Sequence, residues 1–132
     1  MTKRGYGRII NIASAHGLRG SANKSAYCAA KHGVVGLTKA IALETAGSGV
    51  TANSVCPGWV LTPLVQQQIE ARAAKSGRSL EAETALLVSE KHPSSQPVAP
   101  EHLAQLVVFL CSSAGAQITG TELSVDGGWT AR

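Results

Sequence analysis

An α/β fold built on a parallel sheet is predicted by three observations. A short β-branched run, RIINIA, occupies residues 8 to 13; an alanine- and leucine-rich stretch follows from Ser25 to about Ala46; a second short run, VTANSVC, fills residues 50 to 56. Strand, helix and strand in that order form a crossover unit, which makes the two strands parallel and lays the helix against the sheet, whose two faces should both be covered.

Each element has a local cause. Residues 8 to 13 are bounded by Gly7 on one side and by Ser14-Ala15-His16-Gly17 on the other, the pattern of a buried strand. In the next stretch Tyr27, Ala30, Val34, Leu37, Ile41 and Leu43 recur near helical spacing until Gly47-Ser48-Gly49 stops them, giving a helix of about six turns. Pro57-Gly58 ends the second strand, because proline cannot donate to a ladder and glycine permits a sharp turn. Residues 63 to 91 are helical in composition, more polar than the rest and broken at Ser76-Gly77, as expected of a lid or helical hairpin over a site. Pro100 opens another helix, PEHLAQLVVFLCS, and TELSVD at 121 to 126 forms a last strand closed by Gly127-Gly128. Three strands are few for a parallel sheet buried on both faces, so the chain is expected to be part of a domain.

Bulk properties narrow the function classes. With 132 residues, 44% of them hydrophobic, the chain is long enough for one domain with a modest core. Lysine and arginine exceed aspartate and glutamate by 12 to 8, yet they are scattered singly from Lys3 to Arg132 and form no run that tracks phosphates. Nucleic acid is therefore not an expected partner, whereas a small anionic ligand at one site suits the excess. Cys28, Cys56 and Cys111 lie far apart without CxxC spacing and are expected to be small buried apolar residues. Glu44, His32, His92 and His102 have no partners at ligand spacing; they are expected at the surface or at caps, and no metal is expected. The basic amino terminus lacks the apolar stretch of a secretory signal and no apolar run approaches membrane-spanning length, so the expected setting is cytoplasmic, away from membrane.

In open α/β sheets the ligand crevice lies beyond the carboxyl ends of the strands. That rule selects Ser14 through Gly17, Pro57 through Thr62, and the start of the intervening helix, where Tyr27 and Lys31 stand one turn apart on one face. A lysine ammonium there favours the phenolate, which can exchange a proton with a substrate hydroxyl, and Ser14 can hold the substrate oxygen. A half-buried tyrosine beside a snorkelling lysine would give the same spacing. Specificity comes from the conjunction of the pair with Ser14 thirteen residues upstream and with the Pro-Gly at the next strand end.

RIINIAS, SAYCAAKHGVVGLTKAIALE, ANSVCPGWVLTP and the closing VDGG resemble the second half of a short-chain dehydrogenase/reductase, along essentially the whole chain. The resemblance implies a Rossmann-like, doubly wound parallel sheet, of which this chain is the carboxyl-terminal portion, without the dinucleotide-binding βαβ units. It implies Tyr27 as general acid/base, Ser14 as the residue orienting the substrate, and Lys31 tuning Tyr27 and binding the nicotinamide ribose. It also implies contact of Pro57, Gly58, Val60 and Thr62 with the nicotinamide end of the cofactor. The family's Gly-rich pyrophosphate turn, its cofactor-choosing acidic residue and its relay asparagine have no counterpart; Gly5-Tyr6-Gly7 precedes a strand and reads as a plain turn.

Within the family, ASAHGLRGSANKSAYCAAKHG, CPGWVLTPLVQQQI and DGGWTAR are most similar to members that oxidise a small 3-hydroxy acid reversibly to the 3-oxo acid with NAD. The substrate and its carboxylate would then be surrounded by His16, Lys24, Gln68, Trp59 and Trp129, and Lys24, joined by His16 where that ring is protonated, places positive charge and donors near Tyr27. Gln66 and Gln67 leave the register of Gln68 open by a residue, both tryptophans could serve as core or interface aromatics, and Arg19-Gly20 has no assigned role. Two alternatives stand beside this reading. One is a different family activity, such as a 3-oxoacyl carrier reductase or a sugar dehydrogenase; the other is an inactive fragment that associates with full-length subunits. The resemblance further implies a homo-oligomer, a tetramer in the family, with contacts through residues 27 to 46 and 100 to 132.

Overall fold

The computed structural model describes residues 1–131; Arg132, the last residue of the DGGWTAR stretch and of the expected association segment, lies outside the described residues. The elements run β1 (Gly7–Ile12), α1 (Ser25–Glu44), β2 (Val50–Pro57), α2 (Pro63–Ser76), α3 (Leu80–Ser89), α4 (Pro100–Cys111) and β3 (Glu122–Val125). The three strands form one parallel sheet in the order β1-β2-β3, with Gly7 opposite Val50 and Ser54 opposite Glu122.

β2 is central, and all of its residues are buried. Small side chains let it lie flush between its neighbours, and Asn53 ties its flank to the approach to β3 by donating to the Ile118 carbonyl at 2.7 Å. β1, expected as a buried strand, is instead mostly half-buried, with Ile12 50% exposed. Its outer edge carries no partner strand among the described residues, which leaves part of its apolar surface uncovered.

α1 packs along β2 through small side chains. Cys28, Val35, Thr38 and Ala42 are its buried residues, whereas Tyr27, Leu37 and Leu43 are exposed, the last by 80%. Small side chains bring the helix close to the sheet. Thr38 completes the seam, donating to the Val34 carbonyl at 2.7 Å while accepting the Asn11 side-chain amide of β1 at 2.9 Å. At the other end Gly17 lies against the helix so tightly that a Cβ there would stand 2.9 Å from the Lys31 carbonyl oxygen. The loop after β1 is thereby fixed against the first turns of α1.

The predicted hairpin of helices is present and breaks where expected, at Gly77, whose φ of 73° caps α2 in the left-handed conformation. Glu83 clasps it. Although its side chain is only 2% exposed, Oε1 accepts from the Ser76 hydroxyl at 2.6 Å and from Arg78 at 3.1 Å, and Oε2 accepts from Arg72 at 3.2 Å. The Ser76 hydroxyl first, then Arg78 and Arg72, hold this carboxyl below the usual glutamate range against the opposing effect of burial. A carboxylate depressed in the folded state contributes stability that is present above its unfolded pKa and lost as pH falls through the folded value. Glu83→Gln should therefore melt at a lower temperature than the parent near neutral pH, with the gap closing in acid; thermal unfolding at a series of pH values checks this.

α4 begins with Pro100 at its first position, and His102 accepts the Ala99 N–H at 3.3 Å, a capping role as expected. Two other expectations need correction. Cys111 is exposed, because it sits on the outer side of α4 near Val108 and Phe109, which are exposed too. His92 is neither at the surface nor at a cap: it is 1% exposed, enclosed by the segments after β2 and β3. Among the described residues no helix is long and apolar enough to cross a membrane.

Candidate functional site

The carboxyl ends of the strands and the start of α1 meet at an open cavity of about 410 Å³. The loop after β1 contributes Ser14 and His16; the entry to α1 contributes Lys24 and Tyr27. From the segment after β2 come Gly58, Trp59, Val60 and Thr62, and Trp129 closes the wall from the turn after β3. α2 adds Leu64, Val65 and Gln68, whereas Gln66 donates to Glu70 along the outside of the helix. Leu64 and Val65 escaped the sequence reading, although Pro63 at the helix start marks them as its first turn.

Two of the selected residues do not line the cavity. Pro57 is the buried last residue of β2 and sets the start of the Gly58 turn. Lys31 stands beside Tyr27, its Nζ 5.7 Å from the ring centroid, and is anchored by donating to the Ile12 carbonyl at 3.0 Å. The anchor holds the ammonium at the carboxyl edge of β1 without consuming the phenol, which is 47% exposed.

Ser14 is extended at the strand end and caps the turn Ala15–Gly17, its Oγ accepting the His16 N–H at 3.1 Å. That bond uses a lone pair and leaves the hydroxyl proton available to a ligand oxygen. His16 is buried edge-on to Tyr27 at 5.8 Å and to Trp129 at 4.9 Å. Its Nε2 lies 3.5 Å from Lys24 Nζ, an arrangement in which the ammonium donates and the proton of the neutral ring sits on Nδ1. Nδ1 is buried without a hydrogen-bond partner, as is Trp59 Nε1, so two unpaired polar atoms belong to residues of this wall.

Burial, then the neighbouring Lys24 charge, pushes the His16 imidazole below the ordinary histidine range; the Arg19 backbone, which falls short of hydrogen-bonding geometry, opposes the shift. An imidazole depressed in the folded state adds stability that is complete above the ordinary value of 6.5 and is lost as pH falls through the lowered one. Lys24→Met should move the His16 titration back toward 6.5, as followed by its imidazole proton resonances; a titration left in place would assign the shift to burial and the Lys91 charge.

Lys24 also lies over the Trp59 ring at 5.6 Å, so one cation touches both walls of the cavity. The Trp129 wall is held by Asp126, a residue the sequence reading did not name. Its Oδ1 accepts the Gly128 N–H at 3.0 Å, and its Oδ2 accepts the Thr130 N–H at 2.9 Å and hydroxyl at 2.6 Å. Asp-Gly-Gly is a recognisable turn-forming signal for it. Arg19, which had no assigned role, donates to the Thr130 carbonyl at 2.8 Å and binds this turn to the loop after β1. No three potential metal ligands cluster among the described residues.

A family described as Enoyl-(Acyl carrier protein) reductase matches residues 1–130. The chain is 59% identical to a D-beta-hydroxybutyrate dehydrogenase of Cupriavidus necator and 54% identical to one of Rhizobium meliloti, over its whole length and 51% of each relative. It thus spans about half the length of the curated relatives it matches. Among solved structures, a variant of the actinorhodin polyketide ketoreductase with NADPH superposes at a TM-score of 0.87 with 39% identity, over all of this chain and 50% of that one. An L-sorbose reductase of Gluconobacter frateurii complexed with NADPH and L-sorbose superposes at 0.93 with 27% identity, over the same shares.

Proposed function

Because the chain belongs to the short-chain dehydrogenase/reductase family, we propose that its cavity serves the reversible NAD-dependent oxidation of D-3-hydroxybutyrate to acetoacetate in the complete enzyme. The observation that carries this reading is the placement of Lys24, beside His16, in the same cavity as Tyr27 and Ser14. A cation next to a proton-handling pair suits a small substrate with a carboxylate close to its reacting hydroxyl. The likeness to two D-beta-hydroxybutyrate dehydrogenases supports the same substrate.

Tyr27, beside the Lys31 ammonium, acts as the general base that takes the proton of the substrate hydroxyl. Ser14 donates to that oxygen through the proton its cap leaves available, and so holds it at the phenol. Lys24, with the His16 ring beside it, meets the carboxylate, while Trp59 and Trp129 exclude water around the short carbon chain. The hydride acceptor would be supplied by a nicotinamide dinucleotide. The donors present fit its nicotinamide end: Lys31 suits ribose hydroxyls, and the 58–62 segment keeps a bare backbone at Gly58, where a Cβ would collide with His92. NAD rests on the hydroxybutyrate likeness, and the pyrophosphate half would be held outside the described residues. Self-association through α1 and α4 is part of the proposal, supported by the exposure of Leu43 and Val108 by 80% and 70%.

A second reading, reduction of a carrier-bound 3-oxoacyl group or oxidation of a sugar, draws on the matched family description and on the ketoreductase and sorbose reductase likenesses. A panel of substrates with the complete enzyme decides between them. The hydroxybutyrate reading requires kcat/KM for 3-hydroxybutyrate to exceed that for neutral secondary alcohols, sugars and 3-oxoacyl thioesters; the reverse order would replace it.

A further inference from the structure

We propose that His92 is a positioning residue of this cavity, a staple that closes the base of the α2–α3 hairpin and sets both tryptophan walls at once. The hairpin leaves the sheet after Thr62 and returns at residue 92. At that return point His92 Nε2 accepts the Trp59 N–H at 2.8 Å, and Nδ1 lies 2.7 Å from the Gln96 carbonyl. An amide N–H only donates and a carbonyl only accepts, so the two partners fix the neutral ring with its proton on Nδ1. The imidazole thereby joins the Trp59 segment to the strand-like stretch that follows it. Backbone bonds extend the joint: Val98 N–H donates to the Trp59 carbonyl at 2.8 Å and Leu61 N–H to the Val98 carbonyl at 3.2 Å.

The ring is gripped from the other side as well. A Cβ on Gly127 would stand 2.9 Å from His92 Nδ1 and would collide with Ser94 Oγ, and one on Gly58 would collide with Nε2. Ser94 N–H donates to the Gly127 carbonyl at 3.0 Å, which binds this stretch to the turn that carries Trp129. Glycines at 58 and 127 leave room for an imidazole between the two tryptophan-bearing segments, and the ring fills it. The partners of His92 are Trp59, Gln96 and the Trp129 ring, none of them in the Tyr27–Ser14 centre. Its effect passes through Trp59, Trp129 and the first turn of α2, whose Leu64 and Val65 border the cavity.

The test uses the full chain and needs neither cofactor nor turnover, so it fails or succeeds independently of the proposed reaction. Trp59 and Trp129 are the two tryptophans of the chain, so intrinsic fluorescence reports on the cavity walls. In His92→Leu, which fills the site but cannot accept the Trp59 N–H, amide exchange across residues 63–89 should quicken about tenfold while β2 keeps its protection. Acrylamide should also quench the tryptophans more readily. His92→Gln, whose side-chain oxygen can take that N–H, should recover most of the protection. Equal acceleration in β2 and the hairpin, or unchanged exchange in the hairpin, would overturn the proposal. Should His92→Leu not fold, Gly58→Ala displaces the ring without removing it, and the same contrast between hairpin and β2 decides.

Discussion

Tyr27→Phe in the complete enzyme is expected to lower kcat for 3-hydroxybutyrate by roughly a hundred- to ten-thousandfold, the range of a lost general acid/base. The melting curve should barely move. Tyr27 is half-exposed at the cavity mouth, and its edge contact with His16 at 5.8 Å involves the ring, which phenylalanine retains. Stopped turnover with an intact fold isolates the phenol oxygen as the moving part. Lys31 cannot substitute for it, since its ammonium is tied to the Ile12 carbonyl and stands behind the ring, outside the cavity lining. Turnover retained by the phenylalanine variant, measured as cofactor reduction, would remove Tyr27 from the mechanism.

Lys24→Met should act on the other end of the substrate. Methionine preserves an apolar stem over the Trp59 ring but deletes the charge. A charge-assisted hydrogen bond to a carboxylate carries about 1.5–3 kcal/mol, so KM for 3-hydroxybutyrate should rise by roughly ten- to a hundredfold with a smaller change in kcat. Neutral secondary alcohols, where they turn over at all, should be indifferent to the change. Equal losses on charged and neutral substrates would make Lys24 a structural support for Trp59 and favour the carrier-reductase or sugar reading.

The order of elements is legible because each is bounded by glycine or proline and carries its own apolar pattern: Pro57-Gly58, Pro63, Gly77 and Pro100 all fall at observed boundaries. The crevice was legible for the same reason, since the carboxyl ends of two short strands could be located and Tyr27 lies at the start of the helix between them. The buried face of α1 was not. Its core-facing residues are small or polar, Cys28, Thr38 and Ala42, while the larger Leu37 and Leu43 are exposed, so side-chain size does not mark the packed stripe. His92 and Arg19 were illegible for a different reason. Their partners, Trp59 and Thr130, lie 33 and 111 residues away, and no local spacing announces a contact that only the folded chain creates. Cys111 was misplaced because burial is a strong average tendency of cysteine, and an outward position on α4 overrides it.

The most direct test of the account is the fate of the hydrogen on the carbinol carbon. The complete enzyme would be given nicotinamide dinucleotide and 3-hydroxybutyrate deuterated at carbon 3, and the reduced cofactor examined by mass spectrometry. The account predicts one deuterium in the reduced nicotinamide for each acetoacetate formed, with the rate of transfer lowered at least about a hundredfold by Tyr27→Phe. A reduced cofactor without the label, or transfer at the parent rate in the Tyr27 variant, would contradict it.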